Sequence, residues 1–330
     1  MKQLVIDAVN HKESGVIPYN IELTAGFIEN VKKRYGCADV DDFLGNSMTR
    51  TKYKRNRVLD NGDEVDIYGV VWQKSEDGGD VGNVRSYPME DGGAPYTFPD
   101  VDDTAVKNAL EKIKAETKRF RMFGVTMSFF ERSWSLRGME NILMDMLLDE
   151  KKAFALYESI EEHISAVLDE ALEHDFEALY IGDDWGQQQG LIMGPECFRK
   201  YIKPGMSRLM DKAKRKGKTV VLHSCGDLRE IMGDLIDMGV DVYNTVQPEI
   251  YDLKELKREY GRDITFYGGI STQQFLPFAG ASEVRDMTLR VLDIMAKDGG
   301  YILSPTHAVT PDIPPENILA MIEASKEFVK

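Results

Sequence analysis

The sequence predicts an α/β protein built as a (β/α)8 TIM barrel with an irregular N-terminal elaboration. Three observations lead there. After residue 119, short apolar runs alternate with helix-period segments at close intervals, the rhythm of βα units around a parallel sheet. These runs end, one after another, in polar residues able to bind a ligand, as the strands of such a barrel do at its working face. The 330 residues suit one barrel-sized domain, or two smaller ones. An open, doubly wound sheet is the runner-up, but no Gly-x-Gly-x-x-Gly follows the first strand to support dinucleotide binding.

Residues 3–9 read as a short amphipathic helix and Val16–Leu23 as a strand ending in polar groups. The stretch 37–99 is irregular and rich in Asp, Gly and Asn, an insertion or rim segment of a single domain spanning 1–330. Within it, Asn61-Gly62 is a two-residue hairpin turn, with a strand over Val65–Trp72 on its far side. Asp77–Asp80 and Asp91–Pro95 read as loops. A surface helix over Val101–Lys118 starts at Asp102-Asp103-Thr104. Phe120–Ser128 is a strand, followed by helices near 141–148 and 151–174. Further strands are expected at Ala178–Ile181, Val220–Leu222, Val240–Tyr243, Ile264–Tyr267 and Tyr301–Leu303. Helical patterns near 196–215, 228–238, 252–260, 282–298 and 316–328 separate or follow them. That makes seven candidate strands, and the eighth is expected to hide in 37–99.

Fifty-six acidic residues against 41 basic ones leave a formal charge of −15. This argues against nucleic acid and against an anionic membrane surface, and fits a small-molecule enzyme or a partner with a basic face. Cys37, Cys197 and Cys225 are odd in number and far apart, so no disulfide framework is expected and the compartment is reducing. The polar N-terminus does not read as a signal peptide, and no apolar run is long enough to span a membrane. A cytoplasmic protein is expected, with a homodimer among the allowed assemblies.

The chemistry concentrates at Lys218–Leu228. Residues i and i+2 of an extended chain point the same way, so His223 and Cys225 offer a nitrogen and a sulfur to one point. Gly226 ends the strand, and Asp227 caps the helix expected from Leu228. His307, after the last strand, is the best third ligand available. His11, His163 and His174 lie in polar or helical settings and read as surface. Three protein ligands with an open fourth position are the pattern of a catalytic zinc, which mixed nitrogen and sulfur donors suit better than magnesium or calcium. Asp183 and Asp184 are candidates for proton transfer or substrate orientation, one of them capping the next helix. Gln247 and Glu249 are candidate substrate contacts, and Gly269 lets a substrate approach the backbone.

Several segments resemble the uroporphyrinogen decarboxylase superfamily, and more narrowly its zinc-dependent, corrinoid-linked methyltransferase branch. They are Ile181-Gly-Asp-Asp-Trp-Gly186, Gly190-Leu-Ile-Met-Gly-Pro195, Leu222-His-Ser-Cys-Gly226, Gly239-Val-Asp-Val-Tyr243, Phe266-Tyr-Gly-Gly-Ile270 and Ile302-Leu-Ser-Pro-Thr-His307. The likeness is strong from about residue 177 onward and weak before 120. In that branch a His-x-Cys pair and a cysteine on the last strand bind zinc. The pair falls on His223 and Cys225, whereas His307 stands where the branch has cysteine, which leaves a less anionic site. The resemblance implies methyl transfer between a small substrate, a methoxy compound or a thiol, and the cobalamin of a separate corrinoid protein. Decarboxylases of the family carry an arginine-rich segment near the N-terminus for substrate carboxylates. The equivalent Val16–Leu23 has no arginine and contains Glu22, placed among the substrate contacts. The rival readings are a cofactor-free decarboxylase or lyase, and a non-catalytic barrel that binds metal or a corrinoid protein.

Overall fold

Seven strands follow one another in chain order across one sheet: β1 (Met48–Lys52), β2 (Phe120–Thr126), β3 (Ala178–Gly182), β4 (Thr219–His223), β5 (Val242–Val246), β6 (Thr265–Ile270) and β7 (Tyr301–Pro305). This computed structural model describes residues 1–53, 56–73, 82–91 and 96–328; the loop expected at Asp77–Asp80 and most of that at Asp91–Pro95 lie outside them. β3 and β5 to β7 are buried at every position. Strands covered on both faces read as continuous apolar runs, which is why the sequence marks them so plainly.

The chain divides into two compact units. The first comprises Met1–Thr49, Glu116–Arg121 and Asp241–Lys330. In it β5, β6 and β7 pair in parallel, with Tyr267 opposite Asn244 and Ile302. The strand expected at Val16–Leu23 is an extended segment making only isolated parallel bridges, Tyr19 to Leu303 and Leu23 to Val309. Pro18 has no N–H to give a ladder, so its carbonyl accepts from Leu303 while Asn20 donates back to the Leu303 carbonyl. On its other side the Tyr19 carbonyl accepts from Ser47, next to β1. This segment thus fills the eighth position between the last strand and the first. The strand sought in 37–99 is β1 itself.

The second unit comprises Arg50–Ala115 and Met122–Val240. β2, β3 and β4 pair in parallel and bring Thr126, Gly182 and His223 to one level. The Glu150–Ala171 helix buries Ala153, Leu156, Tyr157, Ile160, His163, Ile164, Val167 and Leu168, a stripe at helical spacing. His163 lies on that stripe and is 6% exposed, so it is not the surface residue expected. The Asn61-Gly62 turn is present, with Gly62 at φ 87°. The Val65–Trp72 strand is instead two short ones, Glu64–Val65 and Val71–Trp72. Asp66 causes the break: its Oδ1 accepts from the Tyr68 and Val70 amides at 2.9 and 3.0 Å, folding a turn between them. These strands join Arg57–Val58 and Val84–Ser86 in a four-stranded antiparallel sheet. The Phe130–Arg137 helix was not foreseen. Among the described residues no helix is long and apolar enough to cross a membrane.

Candidate metal centre

β4 delivers His223, and the loop after it turns within two residues to bring Cys225 back to it. His223 Nε2 and Cys225 Sγ lie 3.7 Å apart. The main chain holds this turn. The His223 carbonyl accepts from the Asp183 amide at 3.0 Å, and the Cys225 carbonyl from the Gly186 amide at 3.2 Å. The Asp227 amide donates to the Gln187 carbonyl at 2.8 Å. The loops after β3 and β4 are therefore stitched together, backbone against backbone. Gly226 makes this approach possible: its φ is 89°, and a Cβ there would stand 2.1 Å from the Gly186 carbonyl carbon.

Asp184 braces the pair. Its Oδ1 accepts from the Cys225 amide at 2.8 Å and lies 3.7 Å from His223 Nε2. The imidazole stacks on Tyr180, with centroids 6.1 Å apart, and the Arg50 guanidinium lies 3.9 Å over the other partner of that column, the Tyr180 ring. Burial pushes the Cys225 thiol well above its ordinary range, and neighbouring Asp184 adds to the rise. A cation beside the sulfur would oppose both effects.

Three N–H groups converge on the Asp183 carboxylate. It is fully buried, with Oδ2 accepting from the Phe130 amide at 2.8 Å and Oδ1 from the Glu131 amide at 2.9 Å. The Trp185 indole N–H also donates to it. With those bonds made, the carboxylate anchors the first turn of the Phe130–Arg137 helix. Neither acid caps a following helix, because the next element is a hairpin of Gly186–Gln187 with Gly190–Leu191. Burial raises Asp183 to about 6 against the N–H groups that lower it.

Glu131 is the site residue that sequence reasoning missed. Its carboxylate accepts from the Asp184 amide, and burial first, then Asp184 and Asp183, push it well above the usual carboxylate range. Only the three-dimensional return of its helix to β3 discloses this, since in sequence it is one acid in a polar stretch.

The first unit carries the remaining candidates. Gln247, at the end of β5, is buried, and Glu22 is half-buried in the extended N-terminal segment. Glu249 is bonded to the Ser271 hydroxyl, which in turn accepts from the Gln274 amide at 2.9 Å. Its Oε2 is buried without a partner, and burial raises its carboxyl. Gly269 has φ 99°, and a Cβ there would meet the Tyr301 hydroxyl at 2.8 Å and Val291 at 3.2 Å. The bare backbone at this position makes room for Tyr301. His307 follows β7 with its side chain exposed.

Residues 93–328, well over half of the chain, match the family model for uroporphyrinogen decarboxylase (URO-D). A methylcobamide:CoM methyltransferase MtaA of Methanosarcina barkeri is 28% identical over 137 residues, 42% of this chain and 38% of that protein. A uroporphyrinogen decarboxylase of Magnetococcus marinus is 22% identical over 192 residues, 56% of this chain and 51% of that one. The chain thus spans about half or less of these curated relatives. In structure, a methyltransferase from Methanosarcina mazei aligns over 99% of this chain and 98% of its own, with a TM-score of 0.75 at 17% identity, a likeness of fold. The chain belongs to the uroporphyrinogen decarboxylase family.

Proposed function

We propose that this member of the uroporphyrinogen decarboxylase family is a corrinoid-linked methyltransferase working with zinc held by His223, Cys225 and His307. The observation that carries the reading is the His223–Cys225 pair, 3.7 Å apart on a turn fixed by main-chain bonds. In support, His307 follows the last strand of the sheet, where the family resemblance places the third ligand. Two imidazoles and a thiolate are a fitting donor set for zinc, leaving a fourth position for substrate. Zinc so held supplies a Lewis acid for a methoxy donor or keeps a thiol acceptor as its thiolate.

The chain's own residues do the rest. Asp184 holds the Cys225 amide and stands beside His223, so it keeps both donors turned toward one point. Glu249, raised by burial, is a proton-holding group, and Gln247 and Glu22 orient the small substrate. The methyl group passes to or from the cobalamin of a separate corrinoid protein, whose docking face would be basic to match a chain of net charge −15. MtaA, named as acting between a methylcobamide and CoM, supports the class but not the substrate. A cytoplasmic location follows from the same reading.

The test joins metal analysis to a cobalamin assay. The purified protein is expected to hold about one zinc per chain. It is expected to change the absorption of methylcobalamin or cob(I)alamin when given small thiols or methoxy compounds, and to lose this on chelation. Metal-independent release of carbon dioxide from a porphyrinogen, with no cobalamin reaction, would replace this reading with the decarboxylase one.

A further inference from the structure

The four-stranded sheet in the 57–86 region sits apart from the strand ends in sequence, yet a buried ion pair ties it to them. Arg132 Nη1 donates to Asp66 Oδ2 at 2.8 Å, with both side chains about one-tenth exposed or less. The same guanidinium lies 3.7 Å over the Tyr68 ring, and its Nη1 also reaches Ser135 Oγ at 3.2 Å. Asp66 is saturated: the Trp72 indole donates to Oδ2 at 3.2 Å, and Oδ1 holds its own turn. Trp72 meets Trp134 edge to face across this clasp, with centroids 6.2 Å apart.

Arg132 is the residue after Glu131. The amides of Phe130 and Glu131 are bound by Asp183, and the Glu131 carboxylate takes the Asp184 amide. Successive residues of one helical turn thus face the acid pair and the Asp66 turn. A side chain held in a buried, two-partner geometry fixes the backbone that carries it, and so its neighbour.

We infer that Asp66, through Arg132, is a positioning residue that holds Glu131 against Asp184, making the 57–86 sheet a fixed part of the site rather than a decoration. The effect on turnover rests on the function proposed above; the effect on the helix does not. Removing the charge leaves Arg132 buried without its counter-ion and frees that turn to shift.

The experiment compares Asp66→Asn, Glu131→Gln and the double variant, all in the full chain with zinc. In the cobalamin assay Asp66→Asn is expected to lower kcat about tenfold with KM changed less than about twofold, and to add less than about twofold in the Glu131→Gln background. Equal factors in both backgrounds would mean a merely structural clasp and would overturn the inference. Independently of any reaction, amide hydrogen exchange at Phe130 and Glu131 is expected to quicken in Asp66→Asn, with the Glu150–Ala171 helix unchanged. Unaltered exchange there would also overturn it. If Asp66→Asn does not fold, Arg132→Lys, which keeps the charge but loses the flat face on Tyr68, is read the same way with a smaller expected change. A wild-type protein inert toward cobalamin removes the proposed function and leaves the exchange measurement to decide the clasp.

Discussion

The loops after β3 and β4 and those after β6 and β7 are held in different ways. In the first pair, main-chain groups bond across: Asp183 to His223, Gly186 to Cys225, Asp227 to Gln187. In the second, side-chain hydroxyls carry much of the connection. Thr272 reaches Thr306 through both its amide and its hydroxyl, at 3.1 and 3.0 Å, and Ser271 ties Glu249 to the Gln274 amide. His307 on that side is exposed. Main-chain bonds set donor positions without side-chain freedom, so His223 and Cys225 are preorganised. A hydroxyl-linked loop with an exposed histidine has more freedom to adjust.

The sharpest way to break this contrast is Gly226→Ala. A Cβ at φ 89° and 2.1 Å from Gly186 cannot be absorbed without parting the two loops. The expected loss is more than about 3 kcal/mol in denaturant unfolding, together with the metal content. A stable, zinc-loaded variant would show that the stitching is dispensable.

The proposed ligands come next. His223→Ala and Cys225→Ala are each expected to weaken zinc binding by about a hundredfold or more, and His307→Ala by about tenfold, in competition with a chelator. Three equal losses would erase the distinction between a preset pair and an adjustable third ligand. A harmless His307→Ala would pass its place to Glu249.

Asp183→Asn tests the anchor beneath the pair. An amide group would bring a donor toward the Phe130, Glu131 and Trp185 N–H groups, a loss of about 2 kcal/mol expected in thermal unfolding. The carboxyl also leaves a signature in pH. Its folded value is raised to about 6 from 3.8, so the folded state binds the proton more tightly than the unfolded chain. Its contribution to stability is therefore fully present below about 4 and is lost as pH rises through about 6. That slope should vanish in the variant.

Smallest is Ser271→Ala, which removes the hydroxyl that donates to the Glu249 carboxylate on the hydroxyl-linked side. About 1 kcal/mol is expected, with zinc content unchanged. A loss as large as that of Asp183→Asn would make the two sides equally rigid.

The barrel strands were legible because two-sided burial writes them as unbroken apolar runs, and the His223-Ser-Cys225 spacing was legible because strand geometry acts over two residues. What escaped has physical causes as well. The Val16–Leu23 segment has strand composition, but Pro18 limits its pairing to single bridges. Val65–Trp72 alternates like one strand, but the Asp66 turn cuts it. Asp183 and Asp184 are adjacent and chemically alike, and only burial separates an enclosed anchor from a brace beside the histidine. Glu131 and its clasp through Arg132 depend on residues 66 positions apart and leave no local pattern.

The backbone stitching between Gly186 and Cys225 also bears on how the site would come apart. Because each loop completes the other's hydrogen bonds, neither can fray alone without orphaning amides on its neighbour. The two should open as one cooperative unit, with the amides of Asp183, Gly186 and Asp227 exchanging at a common rate. Escape of an ion bound as proposed would then be timed by that shared opening rather than by the rupture of single bonds, and would be slow even at a modest equilibrium affinity.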